Sequence, residues 1–283
     1  MATQNIILNS SNIVAGSKNR QLVYKFPNPQ QFNNSQIALG SLQMYYSWYN
    51  INSTLYNNNQ FQYKWFNSAG ALTTIVDVII PDGYYTVDAL NIFLTNEMTK
   101  NGHYTQKSGK KSYYIEFVTN PNYYSVQLNI TPMPTALPSG TTIPTTSWNL
   151  PATQMTPQIT ILGIGNFDKV IGFNAGTYPV TTRTTLFQKV SDFAPQLTPV
   201  SSLVVRCNIA RNTYSVPNDV IYSFSSGSTF FGEIIDKEPT TLLYSPVING
   251  SFDNITISFT DQQFNPVHII DPSMLITLVI KTS

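Results

Sequence analysis

Tyr124-Ser125-Val126-Gln127-Leu128-Asn129-Ile130-Thr131 is the stretch on which the fold turns. Its apolar residues alternate strictly with hydroxyl and amide residues, so an extended chain here has one greasy face and one wet face. Tyr113, Ile115 and Phe117 precede it with the same period, and Asn120-Pro121-Asn122 lies between the two runs as a turn. The pair reads as a hairpin of an antiparallel sheet covered on one side.

The period of two recurs along the chain. Leu42, Met44, Tyr46 and Trp48 alternate with Gln43, Tyr45, Ser47 and Tyr49, while Ile37 and Leu39 stand in the opposite phase. The switch falls at Gly40-Ser41, where a bulge absorbs one residue. Phe61, Tyr63 and Trp65 lead through Asn67-Ser68-Ala69-Gly70 into Leu72–Ile80 as a second hairpin. Further strands are expected at Gln158–Leu162, Leu203–Ile209, Val220–Phe224, Thr241–Tyr244, Ile255–Phe259 and Met274–Ile280. One helix is expected over Val87–Lys100, capped by Thr86, with Val87, Leu90, Leu94 and Met98 as its buried stripe. A single turn of helix is expected at Phe167–Ile171. Pro132–Met155 has no period and reads as an exposed loop insertion spanning 132–156; Thr177–Pro199 is a second irregular stretch. The expectation is an all-β chain, a single jelly-roll sandwich of about 8–10 antiparallel strands with one or two short helices and long loops, forming one domain over 1–283. An immunoglobulin-like sandwich fits less well, since it needs about 100 residues and a Cys–Trp–Cys pattern that is missing here.

Composition agrees. The 283 residues carry only 10% charged side chains, against roughly 25% in ordinary globular chains. Aromatics are 13%, with 17 Tyr and 16 Phe. Coiled coils and charge-driven disorder are excluded on that count. A net charge of +1 supplies no field to draw in nucleic acid, so no sequence-specific nucleic-acid partner is expected. The N-terminal residues lack the pattern of a signal peptide, and no apolar run approaches the roughly 20 residues of a membrane span.

The residues that carry chemistry are few. Cys207 is the one cysteine and alternates with Leu203, Val205 and Ile209, so it reads as a buried apolar side chain. His103 and His268 are the only histidines, too few for an evident metal site; no metal and no cofactor are expected. His268 and Asp271 stand in a loop without a nucleophile elbow, so no catalytic triad is read. Gly163-Ile164-Gly165 lacks the rest of a phosphate-binding fingerprint and reads as a tight turn. Lys100, Lys107, Lys110 and Lys111 surround His103 as a solvated cluster rather than an anion site. Six Asn-x-Ser/Thr sequons, at Asn9, Asn33, Asn52, Asn129, Asn249 and Asn254, are about what so Asn-, Ser- and Thr-rich a chain produces by chance. Tyr46 and Trp48 are placed in the core, whereas Tyr45 and Tyr49 face away, toward a partner subunit, a helix or a glycan.

Three stretches carry a family resemblance. They are Ile79-Ile80-Pro81-Asp82-Gly83-Tyr84-Tyr85-Thr86-Val87-Asp88-Ala89-Leu90-Asn91; Val170-Ile171-Gly172-Phe173 continuing to Gly176-Thr177-Tyr178-Pro179; and the run Leu203–Ile280 with Gly250-Ser251-Phe252-Asp253-Asn254-Ile255 and Asp261-Gln262. In this order they resemble the penton, or minor capsid, proteins of virophages and polinton-like viruses. The resemblance implies a single vertical jelly roll that forms a homopentamer at icosahedral vertices, seated among trimers of a major capsid protein. It implies a virion location after assembly inside the infected cell, and no enzymatic activity. It gives Pro81, Asp82, Gly83, Tyr84, Tyr85, Gly172, Phe173, Gly176, Tyr178 and Pro179 structural roles only. From its residues, Gly83 is expected to permit a tight turn. The alternative reading is a lectin-like or receptor-binding sandwich that meets a host-surface glycan or receptor.

Overall fold

The structure, a computed structural model, describes residues 2–282. Contacts divide the chain into two compact units, Met1–Trp48 with Val200–Ser283, and Tyr49–Pro199. The first unit carries eight principal strands. They are β1 (Ala2–Asn9), β2 (Gln21–Phe32), β3 (Gln36–Tyr45), β4 (Leu203–Cys207), β5 (Val220–Phe224), β6 (Ile234–Lys237), β7 (Gly250–Thr260) and β8 (Met274–Thr282). One sheet runs β1-β8-β3-β6 and the other β5-β4-β7-β2, and every pairing is antiparallel. First pairs with last, second with seventh, third with sixth and fourth with fifth. That wrapped ribbon is the jelly roll.

The inward faces explain why the wrap holds. Leu8, Ile37, Leu42, Ile276 and Leu278 are buried from one sheet, and Leu22, Val205, Cys207, Ile257 and Phe259 from the other. Each follows the two-residue period. Cys207 is a free, buried thiol whose pKa burial pushes up to about 12, so it stays protonated and inert. The phase switch near Gly40 is a bulge: Leu39 pairs with Leu278 and Ser41 with Thr277, leaving Gly40 as the extra residue. A Cβ at Gly40 would stand 2.9 Å from Val279 Cγ2 and 3.2 Å from the Thr277 carbonyl.

The strand β2 is the largest element that periodicity does not reveal. It is polar and contains Pro27 and Pro29. It tolerates them because it ends its sheet and because the ladder to β7 breaks there, running from Lys25–Asn254 to Gln30–Phe252. Conversely, Thr241–Tyr244 is not a strand; the backbone begins to pair at Ser245–Pro246, with Ile37 and Gln36 of β3.

The second unit is built on the two expected hairpins. Gln60–Phe66 pairs with Leu72–Ile79 and, on its other side, with Gln158–Ile161, which in turn pairs with Gly176–Tyr178. Ile115–Asn120 pairs with Ser125–Ile130, which also pairs with Phe187–Val190. Helix α1 (Val87–Lys100) begins where Thr86 Oγ1 accepts the Ala89 amide at 3.1 Å. It buries Val87, Leu90, Leu94 and Met98 in one core with Phe61, Tyr63, Trp65 and Phe117. Helix α2 (Phe167–Ile171) adds Phe167, stacked on Phe61 at 4.9 Å. Pro132–Met155 is not exposed throughout: Met133 and Trp148 lie in this core, Met133 pairs with Met155, and Trp148 Nε1 donates to the Gly102 carbonyl at 2.7 Å. An aperiodic segment can still be anchored by one large ring.

His103 belongs to the same core. Its ring stacks on Trp65 with centroids 5.1 Å apart, and Nδ1 lies 2.9 Å from the Tyr63 hydroxyl. Desolvation lowers its pKa from 6.5 to about 4, so the folded chain holds it neutral.

Two outcomes are expected. The unfolded chain takes up the His103 proton as pH falls through 6.5 whereas the folded chain resists until about 4, so the stability is complete above this window and lost within it. Urea unfolding followed by circular dichroism should show about 2 kcal/mol less stability at pH 5 than at pH 7 from this group, and His103→Gln should flatten that slope. Gly40→Ala should cost roughly 1–3 kcal/mol in the same assay, because the bulge has no room for a methyl group.

Candidate functional site

The segment Asn50-Ile51-Asn52-Ser53-Thr54-Leu55-Tyr56-Asn57-Asn58-Asn59 ties the first resemblance-bearing stretch to Asn166, the residue before α2. Asn50, Asn52, Asn58 and Asn59 are buried. A buried amide is costly unless bonded, and these are bonded. Asn50 Nδ2 donates to the Tyr85 carbonyl at 2.7 Å and the Leu197 carbonyl at 2.9 Å, and its Oδ1 accepts the Tyr85 amide at 2.8 Å. Asn58 Nδ2 donates to the Asn50 carbonyl at 2.8 Å, and Asn58 Oδ1 accepts the Asn52 amide at 2.9 Å. Asn59 Nδ2 donates to the Ile80 carbonyl at 3.1 Å. On the other side, the Asn57 carbonyl accepts the Asn166 amide at 2.8 Å, and Asn166 Nδ2 donates to the Tyr56 carbonyl at 2.8 Å. The Asn52 sequon is thus part of the interior, its Oδ1 accepting the Thr54 and Leu55 amides.

This clamp positions the first stretch. Ile51 and Gly83 exchange two backbone hydrogen bonds of 3.0 Å, and the Ser53 amide donates to Asp82 Oδ1 at 2.7 Å. Pro81 and Asp82 are exposed, and Gly83, Tyr84 and Tyr85 are half-buried. Burial, then the nearby Asp82 carboxylate and Tyr49, push the Tyr85 phenol up. Gly83 is not among the residues with positive φ. A left-handed turn is therefore not its reason; a Cβ there would stand 2.9 Å from the Tyr85 ring, which would have to shift for any larger residue.

The second stretch ends α2 and turns into Gly176–Tyr178. Gly172 closes the helix at φ 76°, and a Cβ on it would lie 2.2 Å from the Phe193 carbonyl. The Phe193 amide returns a bond of 3.0 Å to the Gly172 carbonyl. Phe173 and Tyr178 are buried edge to face at 5.5 Å. The Tyr178 hydroxyl donates to the Asn174 carbonyl at 2.9 Å and lies 3.3 Å from Asp192 Oδ2. Burial and then the Asp192 charge push Tyr178 up to about 12. Burial also pushes the Asp192 carboxyl up, but hydrogen bonds from Lys189, the Asn174 amide and Tyr178, with the Lys189 charge, outweigh it and leave it below the usual range. Pro179 is buried, and its carbonyl accepts Gln158 Nε2 at 2.8 Å. Gly176 is exposed at φ 154° with nothing near its missing Cβ.

The other candidates do not assemble into a site. The strand β3 stops at Tyr45, so Tyr45 and Tyr49 do not continue one strand face; they belong to different units. Tyr46 and Trp48 are buried and packed at 4.4 Å, in the core as read. Lys107, Lys110 and Lys111 are exposed on a small hairpin while His103 is buried beneath other rings. Gly165 turns the chain at φ 86° just before α2, with the Asn57 carbonyl 2.6 Å from where its Cβ would be. Asp271 Oδ1 accepts the Ser273 amide at 2.7 Å, a turn cap. Among the described residues no three His, Cys, Asp or Glu converge to hold a metal ion, and no helix is long and apolar enough to cross a membrane.

Gly172 and Gly176 separate a packed glycine from a merely permissive one. Gly172→Ala should cost about 2–4 kcal/mol, from its left-handed backbone and the Phe193 carbonyl together, whereas Gly176→Ala should cost about 1 kcal/mol. Thermal unfolding of the two variants side by side checks the ranking.

No family model matches the chain, and no curated protein does. Among solved structures, it is similar to the mavirus penton protein at 12% identity and a TM-score of 0.46, over 99% of each chain. It is also similar to a chain of the Sputnik virophage at 12% identity and a TM-score of 0.40, over 99% of this chain and 96% of that one.

Proposed function

We propose that this chain is a structural viral capsid protein that forms a homopentameric penton at the five-fold vertices, among trimers of a major capsid protein. The observation that carries the reading is the strand order of the first unit: a complete eight-strand jelly roll, an architecture used by viral capsid and lectin domains. In this reading all 283 residues act as one capsid subunit, 132–156 is an added segment within it, and its place is the virion, reached by assembly in the infected cell. Pro81–Tyr85 and Gly172–Pro179 are structural, and the chain performs no catalytic step.

The sheet edges support a ring. Strands β1 and β6 end the same sheet on opposite sides, and each presents an exposed isoleucine, Ile7 and Ile234. A cyclic contact joins one side of a protomer to the other side of the next, which these two edges provide. It would also cover strand edges that otherwise invite open-ended pairing. The β1 edge carries no charged residue, which suits such burial, since charge is depleted at interface cores; β6 brings Asp236 and Lys237 to the contact.

Native mass spectrometry or light scattering on protein released from assembled particles should give about 158 kDa, five copies of 31.6 kDa. Ile234→Lys should shift the material to monomer while leaving its circular dichroism unchanged. A monomer in native particles that has a full complement of jelly-roll signal would exclude the ring.

A further inference from the structure

An open groove of about 400 Å³ lies at the tip of the Ile115–Asn120 and Ser125–Ile130 hairpin. Tyr123 and Tyr124 form one wall and are 73% and 75% exposed. Tyr124 sits at φ 47° although it is not glycine. That left-handed backbone ends the short 3-10 turn Pro121–Tyr123, the Tyr124 amide donating back to the Pro121 carbonyl. Asp192 and Phe193 also line it. Phe193 is held by its backbone bond to Gly172, and Asp192 by the Tyr178 hydroxyl.

The polar groups are specific. Asp192 Oδ2 already accepts the Asn174 amide and the Tyr178 hydroxyl, while Oδ1 accepts only Lys189 Nζ. A carboxylate oxygen has two acceptor positions, so one on Oδ1 remains, on a side chain that is 21% exposed. Ser125 and Ser191 also border the groove, but their hydroxyls are buried away from it, so Asp192 is the acceptor it offers. No cationic side chain lines the groove.

We propose that this groove binds a neutral hexopyranose, its C–H face stacked on Tyr124 and a hydroxyl donated to Asp192. A sugar ring presents an apolar face and hydroxyl edges together, and so matches exposed aromatic rings beside a partly free carboxylate. An anionic ligand would meet Asp192 with no unpaired cation to offset it. The proposal does not depend on the vertex reading.

The test is saturation-transfer NMR on the full chain with the methyl glycosides of glucose, galactose, mannose and N-acetylglucosamine, and with sialic acid as the charged control. At least one neutral glycoside should receive transfer, and Tyr124→Gly and Asp192→Asn should each weaken its binding about tenfold. Tyr124→Gly should keep or raise the thermal midpoint, because glycine relieves the positive φ, so a loss of binding there is not a loss of fold. Tyr222→Ala, in the first unit, should leave transfer unchanged. The proposal is overturned if no neutral glycoside receives transfer, if both groove variants retain it, or if sialic acid outcompetes the neutral sugars. It is equally overturned if Tyr124→Gly abolishes self-association in sedimentation while wild type binds no sugar, which would make the groove a contact between copies.

Discussion

The pairing of β3 with β8 is the constraint on which the jelly roll depends. Gln36–Met44 meets Met274–Lys281 across almost the whole sequence, and this pair is the centre of its sheet. The strands β1 and β6 have their ladders only on β8 and β3 respectively, so the β3–β8 ladder is what joins these two pairs into one sheet. The chain leaves at Trp48 and returns at Val200, with the whole second unit between. Loop-closure entropy grows only logarithmically with loop length, about 0.6 kcal/mol for each doubling, so a long excursion is tolerable, and one with its own core is a better tether than a slack loop.

A chain so poor in charge must hold its irregular parts together by other means. Three ion pairs are present among the described residues, and pairs at a protein surface contribute little. Side-chain amides take over the work. The Asn50–Asn59 segment saturates backbone groups that strands and helices leave unpaired, each bond contributing about 1 kcal/mol but each unmade buried partner costing about 1–3. That asymmetry makes the clamp specific: an aliphatic side chain at Asn50 would leave the Tyr85 amide and carbonyl and the Leu197 carbonyl without their partner.

How legible these features are depends on whether the cause is local. The helix over Val87–Lys100 has its cap, stripe and end inside the fifteen residues from Thr86, and the structure reproduces its bounds. The Gly40 bulge is legible because burial changes phase on either side of one residue. Strand β2 is not, because its prolines are permitted only by an edge position that the rest of the sheet confers. The Asn50–Asn59 clamp is not legible either. A run of asparagines looks like a loop in any sequence, and only the approach of residues 80–85, 166 and 197 turns it into an interior. Gly83 shows the same limit at one atom: a glycine is visible, but its reason is the Tyr85 ring rather than a left-handed turn.

Each unit exposes both aliphatic groups and rings, and two of these places bear on what the chain can do. In the jelly roll, Ile7 and Ile234 stand on terminal strands of one sheet, where burial by a neighbour would also satisfy the strand edges. At the hairpin tip of the second unit the exposed groups are rings beside a carboxylate with unfilled acceptor capacity, in a concave setting. Flat sheet edges suit copies of one chain repeated around an axis, whereas a concave cluster of rings and one acceptor suits a small polar ligand. The low net charge is compatible with both, because neither a ring of identical edges nor a neutral sugar benefits from a long-range field.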